Sequence, residues 1–263
     1  MNSVVESGRF HLRFGLFSVR EQFGDVRASL AANALIPFFV WLLSRLWERF
    51  NGSQGNFTLA EIVVYIGLTE VLYMTFVRPA SVGRASCDFS IALARPRSWL
   101  VTSFSGLVGR SLGGRLFMLA ILIPVFPLMG AESSHVGTSM LRLFLLLPWL
   151  ALLQGLMALF FAIAQVLWHK TDYFFLPVGK VFLVLGGVWG PIADFNEPWR
   201  GWLLKFPPSD LFFQPAYFCI KGHFYGLSGT EWFLRTGLLA LFLLIVNVFF
   251  FRIAKTRHQS FGG

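Results

Sequence analysis

The sequence predicts an all-α integral membrane protein, and three observations carry that prediction. Hydrophobic residues make up 56% of the 263 positions and charged ones only 13%, with a mean hydropathy of +0.65. That balance leaves too few polar side chains to cover a water-facing surface. The apolar residues form continuous Leu- and Phe-rich runs of roughly 20, the length a helix needs to cross a bilayer, without the alternation of a membrane β-barrel. The basic residues behind the net charge of +9 gather in a few loops and tails. Positive-inside topology and attraction to anionic lipid head groups account for that clustering better than nucleic-acid binding does.

Taken in order, residues 9–27 hold Arg9, Arg13, Arg20 and Arg27 in a narrow stripe at helical spacing, flanked by phenylalanines and aliphatic residues. This is the pattern of an interfacial helix with rings in lipid and guanidinium groups at phosphate level. It serves either as a plain topological anchor or also as a contact for a cytoplasmic partner. The first crossing is expected over 29–46, kinked by Pro37. Thr58 and Glu61 have the spacing of a capping box at the start of the second, 59–77.

The polar break 78–97 follows, the most basic of the interhelical loops, and an amphipathic run from Trp99 leads into a third crossing at 112–129. A short loop at 130–138 precedes a long fourth crossing, 140–168, in which Pro148 is a bending point. The fifth, 173–192, carries Gly186 and Gly190 at the small-xxx-small spacing that permits close helix approach. Residues 194–231, rich in proline and flanked by tryptophan, read as short re-entrant or interfacial helices before the sixth crossing, 232–251. Six crossings put both termini on one side together with the basic segments, so both are expected in the cytoplasm. The whole chain, 1–263, is then a single transmembrane domain.

Candidate chemistry is sparse. Glu70 lies inside the second crossing and Lys180 inside the fifth, and ionisable groups there should face the bundle interior or a wet cavity, where the two could pair. Lys180 can instead snorkel to the interface, and Glu70 can be a hydrogen-bonded packing residue. Val178-Gly179-Lys180 lacks the glycine-rich lead and the hydroxyl residue of a P-loop. No nucleophile triad or metal-spaced Cys/His cluster is evident. No catalytic residue, metal or cofactor is therefore expected in this chain.

Three stretches carry a family likeness: Gly55-Asn56-Phe57-Thr58-Leu59 through Tyr65; Ser86-Cys87-Asp88-Phe89 through Leu93-Ala94-Arg95-Pro96; and Phe206-Pro207-Pro208 through Gln214-Pro215 to Lys221-Gly222. On these the chain resembles the membrane-spanning permease subunits of type-two ATP-binding-cassette (ABC) exporters, in the six-helix subgroup. Cys87 stands where that family usually has glycine. The resemblance implies an ATPase-coupling helix in the 78–97 break. Arg84, Asp88 and Arg95 would make charged contacts there, Phe89, Ile91 and Leu93 would fill an apolar groove, and Pro96 would stop the helix. The bland alternative is an ordinary basic loop. The resemblance further implies ABC ATPase subunits as partners, with ATP and Mg on them. It also implies a second permease subunit, identical or related, and a bacterial cytoplasmic (inner) membrane location among lipids. An ion-driven secondary transporter or channel is the rival reading, which paired intramembrane carboxylates or inverted repeats would favour.

Overall fold

The computed structural model describes residues 13–20, 33–51, 56–76, 99–168 and 172–261, and all regular structure among them is helical. The helices are α1 (13–20), α2 (Ile36–Asn51), α3 (Leu59–Phe76), α4 (Trp99–Leu128), α5 (Ser133–Trp168) and α6 (Asp172–Leu185). Then come three short ones, α7 (Trp199–Leu203), α8 (Pro207–Leu211) and α9 (Phe213–Lys221), and the long α10 (Gly229–Phe261).

Among the described residues, α3, α4, α5 and α10 are long and apolar enough to cross a membrane. The other two expected crossings appear as the shorter α2, with 16 residues, and α6, with 14. At 1.5 Å per residue these rise about 24 and 21 Å, against a hydrocarbon core of about 30 Å.

The long helices form a bundle in which α5 is central, packed on α4, α10, α3 and α9; α3, α5 and α10 run away from the same end and α4 runs back against them. Its buried stripe of Leu143, Leu146, Leu147, Leu150 and Leu153 recurs at three- and four-residue spacing, which keeps one face of the helix turned inward. The opposite face of α10 stays apolar and exposed at Leu234, Leu238, Leu241 and Ile245, as a lipid-facing helix requires.

Several boundaries differ from expectation for local reasons. Pro37 does not kink α2: it sits in the first turn, where its missing N–H leaves no bond unmade. The amphipathic run from Trp99 and the third crossing are one continuous helix of 30 residues. The loop expected at 130–138 is instead Met129 to Glu132, because α4 ends at Leu128 and α5 already starts at Ser133.

The Gly186–Gly190 pair does not mediate helix packing, since α6 ends at Leu185. Gly187 takes a positive φ of 67° to turn the chain out of the helix. Gly190 gives up its side-chain space to the Trp47 ring, whose Nε1 donates to the Trp189 carbonyl. At α1 the backbone of Gly15 lies against Gly109 of α4, and Phe14 lies against Gly106. Arg13 and Arg20 both point away from that contact and are exposed.

The capping box is as expected: Thr58 N–H donates to Glu61 Oε2 at 2.8 Å and Glu61 N–H to Thr58 Oγ1 at 3.3 Å. A second box opens α10, with Ser228 N–H donating to Glu231 Oε2 at 2.7 Å and Glu231 N–H to Ser228 Oγ at 3.2 Å. Each satisfies backbone donors that a helix N-terminus leaves free.

Candidate functional site

The segment between α6 and α10 builds a cap over one end of the bundle, where α3 begins and α4 meets α5. The backbone is carried there by Pro207 at the first turn of α8 and by Gly222, whose φ of 81° closes α9 in a left-handed cap. Phe212, Phe213 and Ala216 are fully buried between α3 and α5. The expectation of short helices here is met: α8 and α9 turn their apolar faces into the protein, whereas α7 leaves Trp199 and Trp202 exposed.

Polar contacts fix the cap at four points. Lys221 Nζ reaches Glu61 Oε1 at 2.8 Å and lies 5.1 Å above the Phe57 ring, so the capping carboxylate of α3 also holds the end of α9. Arg142 of α5 donates through Nη1 to the Cys219 and Ile220 carbonyls, each at 3.0 Å, placing a cation where the α9 dipole is negative. Asp194 Oδ1 accepts from the backbone and side-chain amides of Asn56 at 2.9 and 3.0 Å. Arg235 of α10 pairs with Asp210 Oδ2 at 3.1 Å, while Trp232 Nε1 donates to the Asp210 carbonyl at 3.1 Å.

Burial dominates the electrostatics of the cap. It pushes the Asp210 carboxyl up to about 6, against the opposing pull of the Arg235 guanidinium. It likewise raises the thiol of Cys219, which is buried and free, and the Tyr217 phenol.

The second polar centre lies inside the bundle, midway along α4. Arg115 has no exposed surface. Its Nη2 donates to Gln154 Oε1 of α5 and to the Leu150 carbonyl at 3.5 Å, and its Nε to Thr75 Oγ1 of α3 at 3.3 Å. Gln154 in turn donates from Nε2 to the Leu72 carbonyl at 3.1 Å. One guanidinium and one amide thus cross-link three helices. These polar contacts are held because the alternative in an apolar interior is an unmade bond.

The residues expected to carry function fall in several places. Arg84, Asp88, Phe89, Ile91, Leu93, Arg95 and Pro96, together with Cys87, lie outside the described residues, as do Arg9 and Arg27. Glu70 is buried in α3, and its Oε2 has no hydrogen-bond partner. Lys180 is exposed on α6, and the two make no ion pair among the described residues: the lysine faces outward and the acid inward.

Arg115 is the buried ion that the sequence reading did not single out. An expected crossing that begins at 112 leaves Arg115 at its edge, whereas the true helix begins at Trp99. The signal was the run of small residues, Gly106, Gly109 and Gly114, at which neighbouring elements approach the helix closely and enclose the polar positions among them. Among the described residues no cluster of metal-ligating side chains occurs. No protein-family model matches the chain, and no curated protein matches it.

Proposed function

We propose that the chain is a permease subunit of a type-two ABC exporter, with a separate ATPase docked on residues 78–97. What carries the reading is the polarity of the bundle. The cap end is charge-neutralised, with Glu61–Lys221, Asp210–Arg235 and Glu197–Arg200 in contact at 2.8 to 3.1 Å. At the opposite end α3 finishes, α4 begins and Trp99 stacks on Phe251 of α10. Exposed Arg252 and Lys255 lie beyond that contact with no carboxylate paired to them among the described residues. A basic, uncompensated end belongs in the cytoplasm and a compensated one outside.

In this reading α2 and α6 complete six crossings, both termini are cytoplasmic, and the membrane is a bacterial inner membrane. Two such subunits, identical or related, surround a shared path, because one coupling segment cannot serve two ATPase sites. The 78–97 segment joins α3 directly to α4. A push delivered there reaches the Arg115 cross-link, which binds α3 and α4 to α5, so closure of the ATPases is transmitted as rocking of helices rather than as movement of a loop.

Affinity purification of the tagged chain from its native membrane tests the reading. The expected result is co-recovery of an ABC ATPase, lost on charge reversal at Asp88 or Arg95 while membrane insertion persists. Recovery without any ATPase, together with transport that proceeds without ATP, would overturn it in favour of an ion-driven carrier.

A further inference from the structure

Arg115 has more donors than the protein gives it acceptors. Nε and Nη2 are engaged, but Nη1 has no partner. One turn earlier on α4, the Ser111 hydroxyl is also buried and also without a partner. Residues four apart share a helix face, and helical side chains lean toward the N-terminal turn, so the Arg115 chain extends back over Ser111.

The acceptors that Arg115 does have are a hydroxyl, an amide and a carbonyl. Among the described residues no carboxylate lies within ion-pair distance of it. A fully buried guanidinium without a counter-charge is costly, and it is the side chain best suited to grip a planar or tetrahedral oxyanion through paired N–H groups.

We infer that Arg115 and Ser111 form an intramembrane receptor for an anionic oxygen, the phosphate or carboxylate head of an amphiphile. The surroundings select the amphiphile over a small ion. Leu72, Leu119, Leu150 and Leu153 around the node are all buried. A hydrated inorganic anion would surrender its water for an apolar wall, whereas an amphiphile brings a tail that such a wall solvates. Seating the head requires only the Ser111 turn of α4 to tilt outward about the node, so that the Thr75 and Gln154 bonds stay made and hold the guanidinium in place. Binding here needs no ATPase, so its test is separable from that of the transport reading.

The experiment titrates the purified full-length chain in neutral detergent with dioleoyl phosphatidic acid, oleate, dioleoylglycerol and inorganic phosphate, read by native mass spectrometry. Saturable binding of phosphatidic acid or oleate is expected, the better of the two identifying the head group, with dioleoylglycerol and inorganic phosphate unbound. Arg115→Gln should abolish binding, Arg115→Lys should weaken it about tenfold and Ser111→Ala roughly threefold, from the loss of charge-assisted and neutral hydrogen bonds respectively. Arg252→Gln removes the same charge from an exposed site and should leave binding unchanged. The inference is overturned if neither amphiphile binds, if dioleoylglycerol or inorganic phosphate binds equally well, or if Arg252→Gln weakens binding as much as Arg115→Lys does. Should Arg115→Gln fail to fold, wild-type affinity in both Arg115→Lys and Ser111→Ala would overturn it as well.

Discussion

The cap and the Arg115 node solve the same problem, how to hold charge against an apolar bundle, in opposite ways. In the cap, Glu61, Asp210 and Glu197 each face a cation, and the partners Lys221, Arg235 and Arg200 remain partly exposed. In the node a fully buried cation is surrounded by neutral dipoles, and no carboxylate pairs with it among the described residues. The exposed Glu197–Arg200 pair is weak and can part with little penalty, because water replaces each partner, whereas the carboxylate of the Asp210–Arg235 pair is buried and would be left without compensation. A buried network fails as a unit, because each broken bond leaves a group with no alternative. The cap is therefore held at its rim by contacts that water can replace, and the node by contacts that stand or fall together.

The largest effect should come from splitting the node. Gln154→Leu leaves the guanidinium without its amide partner and should destabilise the chain by about 3 kcal/mol in detergent unfolding. The double variant Arg115→Met with Gln154→Leu should recover most of that loss, since replacing both partners with apolar groups removes the unmet demand. Simple additivity of the two single losses would show that the node is not one unit and would break the contrast with the cap.

The second test is pH. The Asp210 carboxyl is held up at about 6, above an unfolded value near 4, so the folded state binds its proton more tightly and stability falls as pH rises through that window. Below pH 4 both states are protonated, and above pH 6 the full loss, on the order of 2–3 kcal/mol, has been taken. Comparing wild type with Asp210→Asn between pH 4 and 7 should show the difference shrink in favour of the variant as pH rises. A difference that is flat across this range would place Asp210 with the ordinary surface pairs.

The smallest change concerns the seating of the cap on α2. Alanine at Gly190 puts a methyl where the Trp47 ring lies. Trp47 is only half buried and can swing outward, so Gly190→Ala should cost about 1 kcal/mol, read as a lower thermal midpoint. Trp47→Ala combined with it should show no further penalty from the alanine.

Much of the local structure was legible because it is enforced locally. The Thr58–Glu61 capping box needs only three-residue spacing, and it forms as read. The short helices around Pro207, Pro208 and Pro215 follow from proline chemistry. Gly186 and Gly190 misled because a spacing pattern says nothing about whether the helix extends that far. Whether Lys180 and Glu70 pair stayed open in the sequence because position along two helices does not fix which way each side chain faces.

Composition and run length by themselves determined that the chain is helical and apolar enough for a membrane, since hydrogen-bonding needs in hydrocarbon leave a spanning chain few other options. Tertiary structure alone decided the rest. It brought Lys221 to Glu61 across 160 positions and Arg115 to Gln154 across 39. Such partners are chosen by which helix faces meet, and a helix presents the same sequence whichever neighbour it is given.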